Sequence, residues 1–445
     1  MPLGLGLASS HAPAIFCKPE DWPTVYDAIP EYMKGSQPHT AKGETMEVIR
    51  SYVARIEAAF ATLRGQLEAY RPDALIIIGD DQGDVFDVSN MPNLAVFTGP
   101  EVWGAAKPFY VEQPELYGEI CKRIIARCRQ HPHFNPDKMH FVCGGWAING
   151  REWNTKVDAA AEGHSLISVA PYLLHDLDMY DSPEARYSAL FAYVGAHTSP
   201  FDGSQSTFDG LRKNGKGTGM AIYELNTHLT GGKAPASVAS EMCPSVAAGV
   251  AVLDQALSYM SRFGANPINY YTYFQHSFGR GDQERVGLWG NLILAQGGEH
   301  RPRPVWLGLC LANRFLISGD LVEAQLVDIP TWDQLQNGRI PAIKDVPYIH
   351  AYAFLTTAPN SSRRQINLLL VNRHRTEALS VRVQLPFEPT DRATRVALTG
   401  AQLNDNNERA ENVKLTEPAE TPFSNGTAIE LPPFSAVVLQ CVEAG

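Results

Sequence analysis

The chain has 445 residues, 44% of them hydrophobic and 19% charged, with a formal net charge of −11. That length exceeds one ordinary domain, and the composition is that of a well-packed soluble protein, which excludes a disordered chain. The acidic balance, with no run of Lys or Arg, argues against nucleic acid as a partner. No stretch reaches the roughly 18 apolar residues that a membrane span needs.

Seven cysteines are scattered without a CxxC pair, which points to free thiols in a reducing cytoplasm. The opening Met1-Pro2-Leu3-Gly4-Leu5-Gly6-Leu7 lacks the basic region of a signal peptide.

In chain order, residues 3–8 predict a short strand running into Ser9-Ser10-His11-Ala12-Pro13. Met46, Ile49, Val53, Ile56, Phe60 and Leu63 recur at helical spacing and predict a long helix over 44–70. Ala74 to Gly79 is a continuous apolar run, read as a buried strand closing on Asp80-Asp81-Gln82, and residues 93–98 predict a third strand. Further on, helices are expected at 114–130, 153–162, 184–196, 245–263 and 305–317. Strands are expected at 139–146, 165–173, 219–225 and 268–276, and a Gly/Ser-rich loop at 198–218. Four strand–helix units in a row make half of an eightfold barrel. After Gly319 the pattern becomes short alternating runs at 348–356, 365–371, 379–385, 394–398 and 436–441, read as a β-sandwich.

In α/β architectures the chemistry sits where strand C-termini open into loops. The stretch Ala221-Ile222-Tyr223-Glu224-Leu225-Asn226-Thr227-His228 puts a carboxylate at such a point, with polar neighbours. By itself it reads equally as a catalytic Glu or as a strand-end Glu paired with an Arg. Trp146 and Tyr172 also end strands, where they serve either as sugar-stacking platforms or as rim packing. Asn149, Glu152, His175, Asn226, His228 and Gln275 are candidates for hydrogen bonds to substrate hydroxyls. Gly210 to Gly217 nearly spells a phosphate loop, but it lacks the hydroxyl residue after Lys216 and follows no strand, so it is rejected.

Two resemblances rest on these segments. Ser9-Ser10-His11-Ala12-Pro13, with the runs from Ile78 to Phe86 and from Asn90 to Phe97, resembles the opening of class III (LigB-type) extradiol ring-cleavage dioxygenases. That likeness covers about residues 1–111 and implies Fe(II) held by two His and one carboxylate. His11 falls on the first ligand, Gln82 stands where the second His belongs, and Asp80 and Asp81 are the local carboxylate candidates.

The second resemblance covers about 113–445. It rests on Ile222-Tyr223-Glu224-Leu225-Asn226, Tyr270-Tyr271-Thr272-Tyr273-Phe274-Gln275, Leu368 to Arg373 and Leu431 to Ser435. These look like a clan A retaining glycoside hydrolase of the α-L-arabinofuranosidase type. It implies Glu224 as nucleophile, no cofactor, and a small-molecule or oligosaccharide substrate. It also implies a second carboxylic acid, supplied in that family as a Glu directly after Asn. Before Glu224 this sequence has no Asn-Glu; the only one is Asn407-Glu408, in the expected sandwich.

The expected organisation is therefore a LigB-like α/β segment (1–112), half of a (β/α)8 glycosidase-type barrel (113–319) and a C-terminal β-sandwich (320–445). The leading expectation is a glycoside hydrolase impaired by the missing acid. An Fe(II) dioxygenase, and a non-catalytic carbohydrate-binding or chimeric gene product, are the alternatives.

Overall fold

The computed structural model describes residues 18–23, 45–70, 114–131, 134–136, 139–147, 152–173, 180, 182–197, 202–227, 238, 241–272, 277–280, 284–287, 290–294, 300–336 and 341–445. The chain divides into two compact units. One comprises Met1–Phe134 with Ala160–Glu162 and Gly279–Arg285, and the other holds the remainder.

The described part of the first unit is dominated by two helices, α1 (Met46–Tyr70) and α2 (Pro114–Arg129). Ile49 and Val53 are buried at i, i+4 on α1, the face that the periodicity predicts. On α2 the buried residues Tyr117, Cys121, Ile125 and Cys128 form one face, and Lys122 reaches Glu162 at 2.6 Å.

The second unit opens with three short strands separated by helices. They are β1 (Val142–Gly144), α3 (Trp153–Ala160), β2 (Leu166–Val169), α4 (Pro183–Tyr193), α5 (Ser204–Asn214) and β3 (Gly219–Ile222). The strands pair in parallel in the order β1-β2-β3, with Gly144 opposite Ser168 and Val169 opposite Ile222. A single parallel bridge from Ile222 to Ile268 brings the segment after α6 (Val246–Phe263) alongside β3. Three of the four expected parallel strands are present, each shorter than its apolar run; in the fourth, expected at 268–276, the described residues form only the bridge at Ile268.

Local chemistry explains the helix ends. Ser182 Oγ accepts from Ala185 N at 3.1 Å to cap α4. Ser245 Oγ accepts from Ala248 N at 3.1 Å to cap α6, which ends where Gly264 N donates to Met260 O at 3.0 Å. Helix α6 is buried almost all round, as its apolar composition demands. One crossing admits no side chain: a Cβ on Gly249 would lie 2.7 Å from the Pro304 backbone at the start of α7 (Pro304–Leu311).

Helix α5 corrects the expected loop at 198–218. Its Gly, Ser and Asn content lowers helix propensity. The fold nevertheless buries Ser204, Thr207, Gly210 and Leu211 on one face, and tertiary packing outweighs propensity. The expected helix over 305–317 divides as well, into α7 and a π-helical turn at Ala312–Leu316.

Four short strands, β4 (Ser277–Arg280), β5 (Glu284–Gly287), β6 (Leu292–Leu294) and β7 (His300–Pro302), precede α7 as two two-stranded pairs. The C-terminal part is β-rich. It comprises β8 (Asp320–Val322), β9 (Thr331–Gln334), β10 (Ile343–Pro347), β11 (Ile349–Thr357), β12 (Arg364–Asn372), β13 (Leu379–Arg382), β14 (Pro389–Leu398), β15 (Ala419–Pro422), β16 (Ala428–Leu431) and β17 (Ser435–Glu443). Six of these form an antiparallel sheet in the order β15-β14-β17-β12-β11-β8, and β13 pairs with β16.

Ile366, Leu368, Leu370, Val437 and Leu439 of the large sheet share a core with Val383, Leu385, Ile429 and Leu431. The opposite face of the large sheet meets α6, α7 and the π-turn. There Asn367 Nδ2 donates to Leu316 O at 3.1 Å and Gln440 Nε2 to Phe315 O at 2.9 Å. Burial on both faces is why Leu368-Leu369-Leu370-Val371 runs apolar without alternation.

A buried polar network joins the helices to this sheet. Asp254 of α6 is 0% exposed. Its Oδ1 accepts from the Tyr352 hydroxyl at 2.6 Å and lies 2.9 Å from His350 Nδ1. The buried Arg373 guanidinium donates to the carbonyls of Phe191 and Val194 at the end of α4, at 2.9 and 3.2 Å, and also to Pro347 O. Nearby His197 Nδ1 meets Asp202 at 2.9 Å and its Nε2 meets Ser258 Oγ at 2.9 Å, while Tyr259 donates to Asp202 at 3.1 Å. Burial opposes ionising Asp254, but the His350 and Arg373 charges and the hydrogen bonds win, holding its carboxyl below the usual range.

Candidate active site

The C-terminal edge of the parallel strands gathers three of the residues singled out in the sequence. Trp146 follows β1 by two positions, Tyr172 follows β2 by three and Glu224 follows β3 by two. Because the strands are parallel and in register, all three leave the sheet on the same side.

Glu224 is half-buried, and its Oε2 accepts a 2.5 Å hydrogen bond from the Tyr172 hydroxyl. Burial, then the charge of Glu224, pushes the Tyr172 phenol far above its ordinary range, so the phenol keeps its proton and serves as a fixed donor.

The turn carrying Glu224 is tied to both flanking segments. Tyr223 N donates to Val169 O at 2.8 Å and Leu173 N to Asn226 O at 3.0 Å, on the β2 side. On the other side Tyr271 N donates to Leu225 O at 3.3 Å, and Asn226 Nδ2 to Tyr271 O at 2.7 Å. Asn226 is 3% exposed, so its carboxamide is engaged by backbone within the fold. Beneath the turn, Thr227 Oγ1 donates to Cys243 Sγ at 3.3 Å. Burial pushes the Cys243 thiol up to about 12.

Trp146 is set in place by Asn154 of α3. Its backbone N–H donates to Asn154 Oδ1 at 2.7 Å, and Asn154 Nδ2 donates back to the Trp146 carbonyl at 2.8 Å. The Trp146 and Trp153 rings meet edge-on at 6.4 Å. The preceding Gly145 is required by space: a Cβ there would stand 2.5 Å from Ser168 O of β2.

Glu152 lies exposed where α3 begins, its carbonyl accepting from Lys156 N at 3.0 Å. Asn149, His175, His228 and Gln275 lie outside the described residues, as do His11, Asp80 and Asp81 of the iron reading. Among the described residues no group of three or more His, Cys, Asp or Glu is arranged to hold a metal. Nor, among them, is any helix long and apolar enough to cross a membrane.

Sequence reasoning missed the pairing of Tyr172 with Glu224. It treated the tyrosine as a stacking platform, because 52 residues separate the two. The available signal was that both stand at the ends of strands expected to be neighbours.

No family model matches the sequence, and no characterised protein matches it at sequence level. Solved structures do match. The α-L-arabinofuranosidase of Thermotoga maritima, determined as an arabinose complex, superimposes with a TM-score of 0.54 at 17% identity, covering 74% of this chain and 62% of that one. The family 51 enzyme of Bifidobacterium longum gives 0.52 at 15%, covering 74% and 63%. That of Xanthomonas axonopodis pv. citri gives 0.52 at 13%, with the same coverage. Over about three-quarters of its length the chain therefore shares the fold of family 51 α-L-arabinofuranosidases, a clan A glycoside hydrolase-like fold. It spans less than two-thirds of the length of those enzymes.

Proposed function

We propose that the chain is a glycoside hydrolase-like protein for arabinofuranosides or related glycans, with Glu224 as the nucleophile of a retaining double displacement. The observation that carries this reading is the half-buried Glu224 receiving a 2.5 Å hydrogen bond from Tyr172 at the C-terminal edge of parallel strands. The shared fold supports it.

In the first step a Glu224 oxygen attacks the anomeric carbon while the bond to the leaving oxygen breaks, forming a glycosyl ester. Tyr172 holds Oε2 and so fixes the carboxylate at the strand-end edge. Its neutral hydroxyl donates to the carboxylate without competing for the sugar. Trp146, its backbone held by Asn154, stands at the same edge. The leaving oxygen ordinarily takes a proton from a second carboxylic acid about 5–5.5 Å from the nucleophile, and that group later activates water. The Asn-Glu motif that supplies it is missing ahead of Glu224. The reaction is therefore confined to substrates whose leaving group departs unprotonated.

The test uses 2,4-dinitrophenyl α-L-arabinofuranoside, whose phenolate leaves without an acid. We expect a stoichiometric burst of dinitrophenolate and a pentosyl adduct on Glu224 by intact mass, both lost in Glu224→Gln. Aryl arabinofuranosides with poorer leaving groups should turn over little or not at all. No burst and no adduct would overturn the assignment. Robust turnover of the poorer substrates, abolished by Glu224→Gln, would refute the missing acid while keeping the nucleophile.

A further inference from the structure

Glu224 is not on a strand. Strand β3 ends at Ile222, and residues 223–227 leave it as an irregular turn. The carboxylate therefore stands wherever that turn is held, and what holds the turn decides whether the Tyr172 hydroxyl reaches it.

Among the described bonds of this turn, Asn226 is the residue that engages both neighbouring segments. Its carbonyl accepts from Leu173 N at 3.0 Å, and Leu173 directly follows Tyr172. Its side-chain Nδ2 donates to Tyr271 O at 2.7 Å, and its Oδ1 accepts from Thr227 N at 2.7 Å. The flanking Leu225 and Thr227 are 0% exposed, so this part of the turn cannot relax into solvent. Only a carboxamide fits these partners. A carboxylate would present an acceptor to the Tyr271 carbonyl, and an apolar side chain would forfeit both bonds.

We propose that Asn226 is a positioning residue for Glu224: its carboxamide ties the turn to the 268–272 segment, its backbone carbonyl ties it to Leu173 beside Tyr172, and the two together set the separation of Glu224 from Tyr172. What Glu224 does once positioned rests on the glycosidase reading; the clamp itself does not. The residue acts through Tyr172, touching neither the anomeric carbon nor the leaving group. Its loss is felt as misplacement of the nucleophile, and displacements of about 1 Å already cost roughly a hundredfold in rate.

Two measurements test this, one with substrate and one without. With the dinitrophenyl arabinofuranoside, Asn226→Ala and Asn226→Asp should each slow formation of the Glu224 adduct by about thirtyfold or more at saturation. The concentration for half-saturation should change by less than about twofold. Tyr172→Phe should have a similar effect, and the Asn226→Ala/Tyr172→Phe double variant should be no slower than the slower single one. Residues that act through one another are non-additive in this way. Leu439→Val, a core change in the distant sheet, serves as the stability control and should leave the rate unchanged. Additive effects, or an Asn226→Asp variant with the parent rate, would overturn the proposal.

The substrate-free measurement is the 13Cζ resonance of Tyr172 in protein labelled at tyrosine, assigned with Tyr172→Phe. Its position in Glu224→Gln marks the hydrogen bond to a neutral acceptor. In Asn226→Ala it should move at least half-way to that position. A resonance that stays at its parent value would refute the clamp. If the parent protein forms no adduct, the glycosidase reading fails on its own, and the resonance still decides the role of Asn226.

Discussion

Two places in the second unit pair a carboxylate with a tyrosine hydroxyl at nearly the same distance. Tyr172 donates to Glu224 at 2.5 Å, and Tyr352 donates to Asp254 at 2.6 Å. At Asp254 both oxygens also face His350, the Arg373 charge lies nearby, and the carboxylate is 0% exposed between α6 and the large sheet. Glu224 stands half-buried on a turn at a strand-end edge. A carboxylate–tyrosine pair is thus no mark of catalysis by itself. Enclosed on all sides it is a fastener between layers, and at the C-terminal edge of parallel strands it is a candidate for chemistry.

The sharpest way to break this comparison is to remove the cation from the enclosed pair. Arg373→Leu strands the Asp254 charge together with the carbonyls of Phe191, Val194 and Pro347. It should cost about 3–5 kcal/mol by denaturant titration. A loss under about 1 kcal/mol would show that the network is not a fastener.

The two tyrosines offer the next test. Tyr352→Phe deletes a hydrogen bond to a buried charge and should destabilise the chain by about 1.5–3 kcal/mol without altering Glu224 labelling. Tyr172→Phe should do the reverse, slowing labelling while changing stability by less than about 1 kcal/mol. Equal stability losses from both substitutions would erase the distinction.

Acid should separate the two regions further. Burial, partly offset by Asp254, lowers the pKa of His350 below its ordinary 6.5, and Arg373 and His197 push in the same direction. As pH falls below about 6.5, the unfolded chain takes up a proton at this residue before the folded one does. Stability then falls with pH, by at most about 1.4 kcal/mol per pH unit for one proton. Asp254 and Asp202, both lowered, add their own loss only below about 3.8, as pH drops from the unfolded pKa towards the folded one. His350→Gln should reduce the slope between about pH 6.5 and 5, measured by urea midpoints, leaving the share of the likewise lowered His374 and the carboxylate limb. An unchanged slope would place the titration elsewhere.

The smallest effect concerns the packing beneath the Glu224 turn. With its thiol pushed up to about 12, Cys243 at pH 8 holds roughly one part in ten thousand as thiolate. Native protein should therefore resist iodoacetamide at this position, seen by peptide mass, and react once unfolded. Rapid native alkylation would mean that the turn over Cys243 opens, and with it the Asn226 clamp.

Much of the framework was legible from local pattern. Helix α6 announced itself through its apolar periodicity over 245–263, and α1 through its spacing from Met46 to Leu63. The C-terminal strands showed as short runs between turns. The placement of Glu224 and Tyr172 at strand ends could also be read, since each ends an apolar run. Helix α5 could not, because its helix-poor residues are rescued only by the face they bury. Strands β4 to β10, β15 and β16 went unread for a related reason, since their pairing partners rather than their composition hold them.

What the sequence by itself determined is the type and order of the elements with strong local patterns: burial periodicity and capping are encoded within a few residues of where they act. What only the tertiary structure decided is which polar groups meet. Tyr172 finds Glu224 across 52 positions, His197 finds Ser258 across 61 and His350 finds Asp254 across 96. The energy of each of these bonds depends on distances of a few ångströms set by packing, and no local pattern records them.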